Sequence, residues 1–194
     1  MVITQQPLNH DHWCPVGRSC KTQDYYVVRG TRGTPTPWGR VVDPDGVVRD
    51  RLSERERQQY IDDMWEELAF LRGRPAGAVC DVGCGPGWLL RELGADWVRV
   101  GVEIAPEAVA ELHKHGIQHV TGTIELPPAS MDVVIAYHVI EHMTDPLYEI
   151  ARMREILKPG GWLILGTPDF GSPCAVRFGD KYRLLHDPTH VSLF

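Results

Sequence analysis

Ala78-Val79-Cys80-Asp81-Val82-Gly83-Cys84-Gly85-Pro86-Gly87 is the stretch on which the fold turns. It begins almost wholly apolar, ends with glycine at every second position, and runs into Trp88 to Leu93, which has helical character. The segment therefore reads as strand, tight turn, helix. Such a turn lets backbone approach a ligand closely, because glycine has no Cβ, and the start of the next helix favours a negative group such as a carboxylate.

Downstream the alternation continues. Val98, Val100 and Val102 lead to Glu103 and complete a βαβ unit; Pro106 opens a helix that stops at Gly116; Ile117 to Thr121 reads as a third strand and Met131 to Tyr137 as a fourth. Asp145-Pro146 suits a helix start, since Asp accepts an orphan N–H and Pro fits the first helical position. That helix is expected to run to Leu157 and to end at Lys158-Pro159-Gly160-Gly161, before a fifth strand from Trp162 to Thr167. Nearly all-apolar strands alternating with helices imply an α/β protein with a doubly wound, mainly parallel sheet, covered on both faces. Its ligand should lie beyond the carboxyl ends of the strands, where strand order reverses.

Upstream, Ser53 and Glu56 form a capping-box pattern, and Ile61, Met64, Trp65, Leu68 and Leu71 recur at helical spacing up to Gly73 and Pro75. One amphipathic helix is expected there. Residues 1–52 read as an N-terminal extension rich in Gly, Pro, Thr and Arg, in which Arg40-Val41-Val42 and Val47-Val48-Arg49 flank the turn Asp43-Pro44-Asp45-Gly46 as a hairpin. Residues 53–194 form the core.

Composition excludes several classes. The net charge of −6 gives no general attraction to nucleic acid, and 43% hydrophobic with 24% charged residues is ordinary globular usage. The start, MVITQQPLNHDHW, lacks a basic segment followed by an apolar run, and no stretch approaches a membrane span, so a cytoplasmic protein is expected. Five scattered cysteines, Cys14, Cys20, Cys80, Cys84 and Cys174, suit reduced thiols better than a disulfide framework.

The motif positions suggest a nucleoside. Glu103 lies at the end of the second strand, where a carboxylate can accept hydrogen bonds from both ribose hydroxyls. The glycine spacing is Gly-x-Gly-x-Gly, and Trp88 stands where a dinucleotide fingerprint wants Gly or Ala, which disfavours a nicotinamide cofactor.

Four motifs in order resemble the class I S-adenosylmethionine-dependent methyltransferases, especially the branch that includes ubiquinone and menaquinone biosynthetic enzymes. They are Asp81 to Gly87, Val102-Glu103-Ile104-Ala105-Pro106, Met131 to His142, and Leu157-Lys158-Pro159-Gly160-Gly161-Trp162-Leu163. The resemblance implies a Rossmann-like methyltransferase fold and an S-adenosylmethionine cofactor, with S-adenosylhomocysteine as product. It implies that Gly83, Gly85 and Gly87 wrap the methionine part, that Asp81 orients it, and that Glu103 holds the ribose. Ile104 would pack on the adenine face, and Gly122-Thr123-Ile124 would offer backbone groups to the adenine edge, with Thr123 standing where many relatives carry Asp. Tyr137 and His138 would sit near the transferring methyl.

Methyl transfer from a sulfonium donor is an in-line displacement that depends mainly on alignment. A hydroxyl acceptor on a small molecule would gain from a base near neutral pKa, and His138 or His190 is the expected proton acceptor, each weighed against an ordinary structural histidine. His138 and His142 straddle Glu141, and the tail around His186-Asp187-Pro188-Thr189-His190 resembles a segment that lines the acceptor side. His10, His12, Cys14 and Cys20 could hold a structural zinc, although the spacing lacks a paired Cys-x-x-Cys knuckle and no metal ligand is assigned.

A full class I sheet ends in an antiparallel hairpin, for which the 27 residues after Thr167 are too few. The C-terminal edge is thus expected to be incomplete, through truncation or in a compact variant covered by the N-terminal hairpin or by a second subunit, and an open edge invites a homodimer. The other function considered is a catalytically silent S-adenosylmethionine-binding module with a regulatory or assembly role.

Overall fold

The β-branched and cysteine run at Ala78–Val82 becomes the centre of a six-stranded sheet in the computed structural model of the chain, which describes residues 2–5, 38–42, 48–182, 189–192 and 194. In chain order the elements are β1 (Val2–Gln5), β2 (Arg40–Val42), β3 (Val48–Asp50), α1 (Glu54–Asp63), α2 (Trp65–Arg72), β4 (Ala78–Val82), α3 (Trp88–Arg91) and β5 (Val98–Val102). There follow α4 (Pro106–Lys114), β6 (Gln118–Val120), β7 (Met131–Tyr137), α5 (Pro146–Ile156), β8 (Leu157–Gly166) and α6 (Pro173–Phe178). The large sheet has the order β1-β8-β7-β4-β5-β6; β4 through β8 are parallel to their neighbours and only β1 is antiparallel. This is the doubly wound α/β sheet expected from the alternation of elements. Because β5 and β7 flank β4 on opposite sides, the crevice at the switch point opens above the carboxyl end of β4.

Side chains alternate across the sheet and build two cores. Val79, Val133, Ile135 and Ile164 join Met64, Leu68, Leu71, Leu89 and Leu90 on one face, while Cys80, Val82, Val134, Ala136 and Leu163 join Met153 and Ile156 on the other. Strands buried on both faces explain why their sequences show no polar alternation.

Ser53 caps α1 as expected, its Oγ accepting from Glu56 N at 3.4 Å. The single expected helix is two, broken at Met64, whose backbone leaves helical values at φ −97° and ψ 19°. Met64, Leu68 and Leu71 form the buried stripe, but Trp65 is 64% exposed. One helical stripe cannot hold Met64 and its immediate neighbour equally, since consecutive residues lie about 100° apart. The expected hairpin is present as β2 and β3 with Arg40 opposite Asp50, Val41 opposite Arg49 and Val42 opposite Val48.

The edge beyond β8 is covered, and not by that hairpin. β1 pairs along it from Val2 opposite Leu165 to Gln5 opposite Trp162, while β2 and β3 make a separate two-stranded sheet. Lys158 to Gly161 also differ from the expected turn: β8 starts at Leu157, and a register shift between Met131 and Val133 absorbs them as a bulge. Asp132 pins that bulge, accepting from Lys158 Nζ at 2.7 Å and from Ala78 N at 2.8 Å. No helix among the described residues is long and apolar enough to cross a membrane.

Candidate active site

The turn after β4 uses a backbone that side chains oppose. Gly83, Gly85 and Gly87 have φ of +70°, +53° and +72°. A Cβ on Gly87 would lie 2.5 Å from Leu112 Cδ2 and 2.8 Å from Ile117 Cδ1, so this glycine answers both to backbone strain and to packing. Gly83 N and Cys84 N donate to Val102 O at 2.8 and 3.2 Å, tying the turn to the end of β5. The helix that follows, α3, is a single turn of four residues, so the loop amides, rather than a helix dipole, supply the positive potential.

Glu103 completes this end. Its Oε2 accepts from Gly85 N at 2.9 Å, and its Oε1 accepts from Ile104 N at 2.7 Å and Ala105 N at 2.8 Å. Three backbone donors fix the carboxylate beside the glycine turn, so the two places that the sequence reading assigned to opposite ends of one ligand are neighbours. Asp81 lies beneath them, 2% exposed, and its Oδ2 has no hydrogen-bond partner among the described residues. Burial, with the Glu103 charge adding to it, pushes the Asp81 carboxyl up to about 8.

Ile104 and Ile124 are 61% and 68% exposed, so neither is taken up in filling a core. Thr123 is buried, and its side chain faces the Glu149 carboxyl on α5, which burial pushes up and this hydroxyl pulls back. Its side chain is thus turned away, leaving only backbone groups of Gly122-Thr123-Ile124 for an adenine edge.

At the end of β7, Tyr137 and His138 stack edge to face with centroids 4.5 Å apart. His138 holds φ +53°, rare for a residue with a Cβ, and its N–H donates to Gly166 O at 2.7 Å. Its Nδ1 lies 3.2 Å from Oε1 of the fully buried Glu141, whose Oε2 accepts from Thr167 Oγ1 at 3.2 Å. A cleft of about 300 Å³ opens beside this pair, lined also by Asp63, Trp65, Glu66 and Glu67.

His190 is placed differently. It is 5% exposed and stacks on His142 at 4.9 Å, while Val191 N and Ser192 N donate to Glu141 O at 2.8 and 2.9 Å and anchor the tail. Of the two histidines expected to take a proton, His138 lines the cleft and His190 is packed behind Glu141. Donor atoms of Glu141, His142 and His190 lie within 4.8 Å of one another, and His142 Nδ1–H donates to Thr189 O at 2.9 Å, an arrangement that would leave its Nε2 free for a divalent ion. The sequence reading had these residues but not this grouping. The zinc candidates His10, His12, Cys14 and Cys20, and the tail residues His186, Asp187 and Pro188, lie outside the described residues.

The sequence reading missed three further residues. Trp38 places its ring where a Cβ on Gly85 would be 2.5 Å from it, and packs on Trp88 at 5.8 Å; nothing in its neighbourhood in sequence signals this. Glu67 carried a signal that was available, a charge on the apolar face of a helix beside Leu68 and Leu71, whereas Trp65 carried none, because periodicity does not separate it from Met64.

The strand order and the paired glycine turn and acid are those of a class I S-adenosylmethionine-dependent methyltransferase domain. A family model described as a methyltransferase domain matches residues 53–194, and the chain belongs to that family. It is 37% identical over 134 residues to the ubiquinone biosynthesis O-methyltransferase of Xanthomonas campestris pv. campestris, covering 60% of this chain and 55% of that protein. It is 35% identical over 130 residues to the enzyme of the same description from Cereibacter sphaeroides, covering 61% of this chain and 50% of that one. The chain therefore spans about half the length of these curated relatives. Among solved structures, a SAM-dependent methyltransferase of Thermotoga maritima superposes with a TM-score of 0.54 at 23% identity, covering 72% of this chain and 69% of that one. One from Archaeoglobus fulgidus gives 0.56 at 20% identity, covering 69% and 61%. Those two likenesses concern the fold.

Proposed function

We propose that the chain is an S-adenosylmethionine-dependent methyltransferase that moves the methyl group to an oxygen, nitrogen or carbon atom of a small-molecule acceptor by in-line displacement. The observation that carries this reading is the 2.9 Å hydrogen bond from Gly85 N to Glu103, which sets the glycine turn and the ribose acid side by side above β4. In this reading Gly83, Gly85 and Gly87 surround the methionine part, Asp81 faces its ammonium group, and the ribose hydroxyls take over Glu103 oxygens now held by backbone amides. The exposed Ile104 and Ile124 flank the adenine, and backbone at Thr123 meets its edge. Tyr137 and His138 then border the sulfonium, so the cleft beside them receives the acceptor, and His138 takes a proton from a hydroxyl acceptor.

The same reading places the protein in the cytoplasm with reduced thiols; Cys80, Cys84 and Cys174 are free. A homodimer would use the β6 edge, because β1 occupies the other.

Isothermal titration with S-adenosylhomocysteine tests the reading. Glu103→Ala should weaken binding by about 2–3 kcal/mol, roughly fifty-fold, through loss of charge-assisted hydrogen bonds. Unchanged affinity in a folded mutant would contradict the site.

A further inference from the structure

Gly85 is the middle glycine of the turn after β4, and the space that its missing side chain leaves is filled. A Cβ built there would lie 2.5 and 2.7 Å from Cζ2 and Cη2 of the Trp38 indole, closer than a real Cβ approaches any atom. Bare backbone at Gly85 therefore admits an indole edge from the same chain.

This ring comes from outside the methyltransferase domain, whose family match covers residues 53–194. Backbone bonds hold it in place. Arg51 N donates to Gly39 O at 2.8 Å across the open end of the β2–β3 hairpin, next to Trp38, and Ser53 N donates to Asp50 O at 2.9 Å, joining the hairpin to the cap of α1. The ring meets Trp88 edge to face at 5.8 Å, and Trp88, itself 7% exposed, meets Tyr60 of α1 at 5.6 Å. Three rings in mutual contact, tied to a hairpin and a helix, make a fixed wall.

Tyr60 carries that wall toward the buried acid. Its phenol is pushed well above its ordinary range by burial first and then by the charge of Asp81, with Cys84, Tyr137 and Glu67 adding to the rise. It thus stands among groups of both halves of the site. Trp38, Tyr60 and Trp88 line one cleft of about 250 Å³, and Asp63 at the end of α1 lines both this cleft and the one beside Tyr137 and His138. An indole that filled the polar seat itself would bring its N–H to Asp81, yet Asp81 Oδ2 has no hydrogen-bond partner among the described residues. The ring covers the turn and leaves the acid to a ligand.

We propose that Trp38 is a donor-binding residue: with Tyr60 and Trp88 it walls the amino-acid end of S-adenosylmethionine against the glycine turn, which makes the N-terminal hairpin part of the donor site. This rests on the methyl-transfer reading above and adds to it a residue from outside the matched domain. The indole packs on the methylene chain of the ligand and keeps water from the pair that its ammonium group forms with Asp81, and such a pair is stronger where water is excluded.

The test compares S-adenosylhomocysteine with methylthioadenosine, which keeps the adenosyl thioether and lacks the amino-acid chain, both titrated into the full chain. Trp38→Ala should weaken S-adenosylhomocysteine by about tenfold and methylthioadenosine by less than about twofold. Trp38→Phe, whose shorter ring stops short of Gly85, should give about a threefold loss of the same kind, so the outcome does not depend on the alanine variant folding. In the wild type, S-adenosylhomocysteine should slow amide hydrogen exchange at Arg51 and methylthioadenosine should not, because a ligand that touches the ring must also hold the hairpin. Equal losses for the two ligands, unchanged affinity in both variants, or tighter binding once the ring is removed overturns the proposal. Glu103→Ala separates the two readings, since the ribose is common to both ligands and both should weaken. If they do and Trp38 makes no distinction, only this proposal fails; if S-adenosylhomocysteine does not bind the wild type, the methyl-transfer reading fails and takes this one with it.

Discussion

The two halves of the candidate site are made of different material. Around Gly83 to Gly87 and Glu103 the contacts are backbone amides held by backbone geometry, positive φ at each glycine and amides fixed on one carboxylate. Around Tyr137 and His138 the walls are side chains from α2, β7 and the region after β8, brought together only by the packing of Met64, Leu68 and Leu71 on the sheet. A backbone-built site tolerates little change at its own residues and carries one ligand chemistry. A side-chain-built cleft can change its walls without disturbing the fold, and so can change what it accepts.

The largest effect should come from giving the backbone half a side chain. Gly87→Ala forces a methyl group at φ +72° into contact with Leu112 and Ile117, two buried core residues. Strain and overpacking together should cost about 2–4 kcal/mol, read as a lower midpoint in urea unfolding. If Gly87→Ala unfolds like wild type, the turn is softer than its geometry implies and the contrast between the halves weakens.

That difference in material also explains what the sequence disclosed. A glycine turn after an apolar strand is a local pattern, and so is an acid at the end of the next strand; neither needs the tertiary structure to be noticed. Strand identity was legible for the same reason, since Ala78–Val82, Val98–Val102 and Met131–Tyr137 are apolar runs bounded by breakers. The cover on the β8 edge was not, because Val2–Gln5 pairs with residues more than 150 positions away and a short strand carries no record of its partner. Trp65 was assigned to the core because periodicity alone does not decide which of two adjacent apolar residues turns inward. His138 and His190 looked equivalent in sequence; burial separates them.

A sharper view of the backbone half comes from Asp81. Its carboxyl is pushed up to about 8, chiefly by burial and then by Glu103, so near neutral pH it is largely protonated in the free protein. If the ligand's ammonium group faces it, binding favours the ionised form, and a proton is released. Affinity for S-adenosylhomocysteine should then rise by up to about tenfold per pH unit below pH 8 and level off above it, the direction set by a pKa that binding lowers. Titrations in buffers of different ionisation enthalpy should report nearly one proton released at pH 7, and Asp81→Asn should abolish both effects. The same raised pKa predicts that wild type loses stability relative to Asp81→Asn as pH rises from about 4 to about 8, because the unfolded carboxyl ionises first. Pairing the group with the ligand should recover part of that loss.

The smallest expected change is on the side-chain half. Trp65→Ala removes a large ring, yet the ring is mostly solvent-facing and the neighbouring Met64 carries the packing, being fully buried. Stability should move by no more than about 0.5 kcal/mol, against about 2–4 kcal/mol for Met64→Ala. Affinity for S-adenosylhomocysteine should be unchanged, because Trp65 lines the cleft beside Tyr137 and has no place near the glycine turn. What should change is the binding of an aromatic or cationic compound in the cleft, which loses a ring face. A mutant that instead melts early would make Trp65 part of the core after all, and one that loses S-adenosylhomocysteine would merge the two halves into one site. Unaltered stability, unaltered cofactor binding and altered acceptor binding are expected only if one scaffold carries a fixed donor seat and an exchangeable acceptor wall.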